Sequence, residues 1–171
     1  MKKILFTLAL TFLCGALFGQ NSKMPENISL KTLDGKTVQS SVIQNDGNPI
    51  ILSFWATWCK PCNTELDAIK EVYEEWQEET KVKLVAVSID DARSAARVKP
   101  WVDGKDWPYE VYLDQNKDLA RAMNVGADVP YVFVIDGNGE IVWMHKGYQP
   151  GSEEELIEVV KKVASGEAVE N

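Results

Sequence analysis

The chain has 171 residues, 45% of them hydrophobic and 26% charged, which is enough apolar material for one packed domain. Acidic residues number 26 against 18 basic ones, and the net charge of −8 argues against nucleic acid or anionic membrane surfaces as partners. No low-complexity tract or internal repeat interrupts the sequence.

Residues 1–20 read as a signal peptide: Lys2 and Lys3, an apolar stretch from Ile4 to Phe18, then Gly19 or Gln20. The stretch is short for a membrane span, so a cleaved signal and an exported, periplasmic protein are expected, with a retained anchor as the lesser alternative. Leu13 stands before Cys14, where a lipid-attachment signal needs a small residue, so Cys14 reads as part of the apolar stretch. Residues 21–27 read as a polar linker, and the domain is placed at 28–171.

Ile28–Leu33 alternates, Asp34-Gly35 signals a turn and Lys36–Val38 follows, which predicts an N-terminal hairpin. Residues 44–49 read as loop. Ile50–Trp55 is a β-branched and aromatic run behind Pro49 and reads as a buried strand. Beyond it, Leu66, Ile69, Val72, Tyr73 and Trp76 recur at helical spacing, with Glu71, Glu74, Glu75, Glu78 and Glu79 on the opposite face. Between strand and helix stands Trp58-Cys59-Lys60-Pro61-Cys62.

That location has chemical consequences. A helix N-terminus offers unpaired N–H groups and a positive dipole end, both of which stabilise a thiolate. The thiolate is the nucleophile, so Cys59 is expected to react at neutral pH. The spacing places both sulfurs within one helical turn, and Pro61 suits a first turn. Cys62 falls four residues before Leu66 and is predicted to point inward, with Cys59 at the exposed tip. Cys59 is therefore the nucleophile and Cys62 the resolving thiol. Trp58, Lys60 and Pro61 frame the pair. Glu65 lies on the flank of the buried face, where partial desolvation would raise its pKa and suit it to take the Cys62 proton; an ordinary surface Glu is the competing reading. A zinc site is disfavoured, because three cysteines, one of them Cys14, and one histidine make a poor ligand set. A purely structural disulfide would close a very small loop and add little stability.

Val82–Ile89 reads as a strand parallel to 50–55 through a helical crossover. Ala92–Val102 reads as a helix interrupted near Pro100 and ended by Asp103-Gly104. A short strand follows in 107–114, with Trp101, Trp107 and Tyr109 assigned to core packing ahead of a partner-binding surface. Asp118–Asn124 reads as a helix closing at Gly126. Tyr131–Asp136 and Glu140–His145 form a hairpin across 137–139. His145 reads as a surface or hydrogen-bonded strand histidine rather than a catalytic or copper-binding one. Ser152 is expected to cap the last helix, with Glu155 completing a capping box, and 165–171 reads as a frayed tail.

Phe54-Trp55-Ala56 followed by Trp58-Cys59-Lys60-Pro61-Cys62 resembles the thioredoxin superfamily. Glu65 and the secretory start make the chain similar to its TlpA/ResA group of exported thiol–disulfide oxidoreductases, over about Ile28 to Val163. The resemblance implies an α/β fold, with a central mixed sheet flanked by helices, an N-terminal β-hairpin and an insertion between strands. It also implies that Pro130, by itself only a strand-start proline, is cis beside the dithiol, and that Val129 offers its backbone to substrate. Ser53 stands where thioredoxin has a buried Asp, which leaves Glu65 as the candidate proton carrier. Lys60-Pro61 replaces the Gly-Pro of thioredoxin and the Pro-His of DsbA, so a powerful oxidase is not expected. The family implies no bound cofactor and no metal, substrates among disulfide-containing exported proteins such as apocytochromes, and a membrane electron donor. Two other readings share the fold: a peroxiredoxin-like peroxidase, and a copper-binding SCO-like protein, which spaces its cysteines differently and adds a distal His.

Overall fold

The computed structural model describes residues 23–169. The signal peptide and Cys14 lie outside them, as do residues 21–22 of the expected linker and the last two residues of the tail. Residues 23–27 are docked rather than free: Lys23 bridges Glu140, the Met24 N–H donates to the Gly139 carbonyl, and Met24 is buried.

The elements are β1 (Ser29–Thr32), β2 (Thr37–Gln39), β3 (Ile50–Trp55), α1 (Lys60–Thr80), β4 (Lys83–Ser88), α2 (Val98–Lys105), β5 (Glu110–Leu113), α3 (Asp118–Ala122), β6 (Tyr131–Ile135), β7 (Ile141–Lys146) and α4 (Ser152–Ser165). They build one mixed seven-stranded sheet in the order β2-β1-β5-β4-β3-β6-β7. The predicted hairpin β1–β2 is antiparallel, and β3 runs parallel to β4 with Trp55 opposite Ser88. β3 also pairs antiparallel with β6, Ile50 opposite Ile135 and Phe54 opposite Tyr131.

Strand β3 is buried along its whole length, as expected of a central strand covered on both faces. Alternation sends Phe54 to one face, edge-on to Phe133, and Trp55 to the other, edge-on to Trp107. Trp107 donates from Nε1 to the Asp67 carboxylate on α1, and the Tyr109 hydroxyl donates to the Leu66 carbonyl. Both are core residues, whereas Trp101 is 40% exposed. Helices α1 and α4 pack against each other, with Lys161 on Glu79 at their far ends.

Three local expectations are corrected. Pro100 does not interrupt α2. It lies in the first turn, where its missing N–H has no helical acceptor, and Gly104 is carried inside the helix, which ends at Asp106 in the left-handed conformation. The short α3 closes through Asn124, at positive φ, rather than through Gly126. Gly151 is the N-cap of α4, and Ser152 makes no capping bond along the helix; Glu153, not Glu155, turns back to accept from the Gly151 N–H. At the end of the sheet where β3 begins and β6 ends, the loops 44–49 and 136–140 meet closely. A Cβ on Gly137 would lie 2.0 Å from the Gly47 carbonyl oxygen, so only glycine fits there.

Candidate active site

The central strand β3 carries the chain to the end of the sheet where the parallel strands β3 and β4 finish, and residues 56–58 turn it into α1. The turn is tethered from β4: the buried Asp90 carboxylate accepts from the Thr57 N–H (2.8 Å), the Thr57 hydroxyl (2.7 Å) and the Ser88 hydroxyl (2.9 Å). A buried carboxylate so supplied with donors holds its neighbours in place. In the sequence Asp90 is only the residue after the strand Val82–Ile89. Its role follows from parallel β3–β4 pairing, which brings the two strands' C-terminal ends side by side.

Cys59 is the N-cap of α1. Its Sγ accepts from the Cys62 N–H at 3.3 Å, and no acidic side chain occupies the first turn. Pro61 sits within that turn. Cys59 and Cys62 are disulfide-bonded, with Cα atoms 5.4 Å apart. Cys62 is fully buried as expected, but Cys59 is not an exposed tip: it is only 4% exposed. The neighbouring loop covers it. Val129–Pro130 is a cis peptide bond, and the Val129 carbonyl oxygen lies 3.4 Å from the Cys59 Sγ. What the solvent meets is Trp58, 58% exposed, together with the exposed Lys60.

Asn63 was not singled out by its sequence position. Its amide donates to the Cys59 carbonyl (2.7 Å) and the Ala56 carbonyl (3.3 Å), and its Oδ1 accepts from Trp101 Nε1 (2.6 Å). One side chain thereby joins the turn, the helix start and an exposed indole.

Glu65, one turn after Cys62 on α1, is 3% exposed, and its Oε2 finds no hydrogen-bond partner among the described residues. Burial, reinforced by the nearby Glu153, raises its pKa from 4.5 to about 8. Around it the Tyr148 hydroxyl donates to Glu153 at 3.0 Å. Ser53, in the place of thioredoxin's acid, is buried with its hydroxyl unpartnered among the described residues. The ordinary-surface reading of Glu65 is thus overturned.

His145 lies half-buried on β7 opposite Val132, its ring stacked on Trp143, and its buried Nε2 has no hydrogen-bond partner among the described residues, so of the two expected readings, surface or hydrogen-bonded, the second is not met at this nitrogen. Among the described residues no three His, Cys, Asp or Glu side chains gather in a group that could hold a metal, and no helix is long and apolar enough to cross a membrane.

The AhpC/TSA family model matches residues 21–144. The chain belongs to that family, in its thioredoxin-like part. It is 31% identical over 179 aligned residues to the thiol–disulfide oxidoreductase ResA of Bacillus thuringiensis, covering 95% of this chain and 99% of the relative. Among solved structures, an uncharacterized thioredoxin-like protein from Porphyromonas gingivalis is 52% identical with a TM-score of 0.74, covering 85% of this chain and 94% of that one. StoA from Bacillus subtilis is 26% identical with a TM-score of 0.62, covering 80% and 98%. The chain is a thiol–disulfide oxidoreductase of the ResA-like type. The sheet flanked by helices is the thioredoxin-like fold that the motif had implied.

Proposed function

We propose that this ResA-like oxidoreductase reduces disulfides of exported proteins, with Cys59 as nucleophile, Cys62 as resolving thiol and Glu65 as proton carrier. The observation that carries the reading is a buried, unpartnered carboxyl one turn after a buried resolving cysteine. The reduced dithiol starts the cycle. The Cys59 thiolate attacks one sulfur of the substrate disulfide, the S–S bond breaks, and the first substrate thiolate leaves and takes a proton. Glu65 accepts the proton of the Cys62 thiol, which then attacks Cys59 Sγ and releases the second substrate thiolate. The enzyme ends as the disulfide, two electrons poorer, and the substrate as a dithiol.

A carboxyl with a pKa of about 8 suits this task, because it holds or yields its proton near neutral pH. Val129 and Pro130 supply the backbone edge on which the substrate chain lies, which the 3.4 Å approach of the Val129 carbonyl to Cys59 Sγ supports. The signal-like start at residues 1–20 supports export, and an exported reductase needs a membrane donor to return its electrons. Haem-attachment cysteines of apocytochromes are one substrate class consistent with the ResA likeness.

Two measurements test this. Cys62→Ser should accumulate a mixed disulfide between Cys59 and protein partners; a variant that traps none would defeat the assignment of roles. Equilibration of the reduced and oxidised protein in thiol buffers should give a potential nearer the reducing thioredoxin end, roughly −270 mV, than the oxidising end at roughly −120 mV. A value at the oxidising end would make the chain a disulfide donor.

A further inference from the structure

The surface beside the sulfurs runs against the charge of the rest of the chain. Trp58 forms one wall of a cleft of about 350 Å³ whose other walls include Ile89, Asp91, Arg93, Arg97 and Lys117. Three cations therefore face one carboxylate, in a chain whose acidic residues outnumber its basic ones by 26 to 18. The carboxylate is already engaged: Asp91 holds the Arg93 guanidinium at 2.9 Å and accepts from Ser94. Arg97 and Lys117 have no carboxylate within ion-pair distance among the described residues, and Arg97 is exposed. Lys117 is held in the left-handed conformation before α3 by its N–H bond to the Asp114 carbonyl. The cleft adjoins the reactive centre covalently, since Trp58 is bonded to Cys59 and the turn that carries both is tied to β4 through Asp90.

We infer that this cleft receives acidic side chains flanking the cystine of the substrate, so that the enzyme selects protein disulfides set in negatively charged sequence. The inference rests on the proposal that the Cys59–Cys62 couple exchanges with protein disulfides, and it names the class of substrate. Charge complementarity supplies the argument. An acidic substrate meets repulsion over most of this acidic molecule and attraction in one concavity, which orients it with its cystine over Cys59. Trp58 adds an apolar plate against which the chain next to the cystine packs.

The test uses the reduced full-length protein and three oxidants: two cystine peptides identical except for a Glu-Glu or a Lys-Lys pair beside one cysteine, and hydroxyethyl disulfide. Second-order reduction rates are normalised to hydroxyethyl disulfide, which cancels any change in the reactivity of Cys59. The Glu-Glu peptide should react about tenfold faster than the Lys-Lys peptide at low salt, as expected of two exposed charge contacts. The preference should shrink severalfold at about 0.5 M salt. The double variant R97E/K117E should abolish or invert it. Equal normalised rates for the two peptides, or a preference unchanged in the double variant, would overturn the inference while leaving the oxidoreductase reading intact. Failure of the wild-type protein to reduce any of the three would overturn that reading, and the inference with it.

Discussion

Two helix N-termini lie on the same side of the sheet and are furnished in opposite ways. α4 opens with Glu153, Glu154 and Glu155 in its first turn, and the Glu153 carboxylate accepts from the Gly151 N–H. This is the ordinary use of a helix start, a negative side chain meeting the positive end of the dipole. α1 has no acid in its first turn; its N-cap is a sulfur, which accepts the Cys62 N–H. The same backbone field that stabilises a fold at α4 is left unneutralised at α1 for a thiolate. Glu65 lies close to the start of α4, where Glu153 helps keep its carboxyl protonated.

The largest test of this contrast removes the sulfur itself. Cys59→Ser should drop disulfide exchange to the uncatalysed background in an insulin-reduction assay while leaving the circular dichroism spectrum unchanged. Retained activity would mean that α1 is not the reactive helix.

Glu65→Gln comes next. Exchange should slow by about a hundredfold, the low end of what general acid–base assistance contributes, and its pH dependence near 8 should vanish. Stability should move the other way. The folded carboxyl titrates near 8 and the unfolded one near 4.5, so below 4.5 the group is neutral in both states and contributes nothing. As pH rises from 4.5 to 8, the unfolded chain gives up a proton that the folded chain retains, and folding weakens throughout that window. The variant should match wild type at pH 4 and exceed it at pH 9 by an amount on the order of 4 kcal/mol. Urea titrations at the two pH values would show it, and equal differences at both would sink the account of Glu65.

Glu153→Ala should loosen the start of α4 by about 1 kcal/mol, the usual contribution of a side-chain cap. It should also draw the Glu65 midpoint downward, read from the same rate–pH profile. The smallest effect is expected where α1 is made to resemble α4. Lys60→Glu places an acid in the first turn, and the Cys59 thiol should become less acidic by under about one pH unit, measured by thiolate absorbance. No change would mean that solvent screens that end of the helix completely.

Much of this arrangement could be read before the fold was known, and the reasons differ by residue. β3 and α1 were legible because each spans enough residues for its period to show: six consecutive buried positions in one, and Leu66, Ile69 and Tyr73 at helical spacing in the other. Cys62 and Glu65 followed from that helical phase. Cys59 did not, because its burial comes from the Val129–Pro130 loop, seventy residues away in the chain. Asp90 and Asn63 were invisible for the same reason, since the hydrogen bonds that define them depend on which strand ends and helices meet. Pro100 misled because a proline breaks a helix only after the first turn, and where α2 begins is set by the 3-10 turn before it.

The contact between Gly137 and the Gly47 carbonyl bears on the chemistry from the opposite end of the molecule. β3 and β6 are one antiparallel pair: at one end Ile50 faces Ile135 beside this contact, and at the other Phe54 faces Tyr131 beside the sulfurs. Cys59 follows β3 and Pro130 precedes β6, so the proposed nucleophile and the backbone edge proposed to receive its substrate are the two blades of a pair of scissors. Gly137 sits at the handles. A methyl group there would be a wedge, and the gap it forced would reach the blades with no catalytic residue altered.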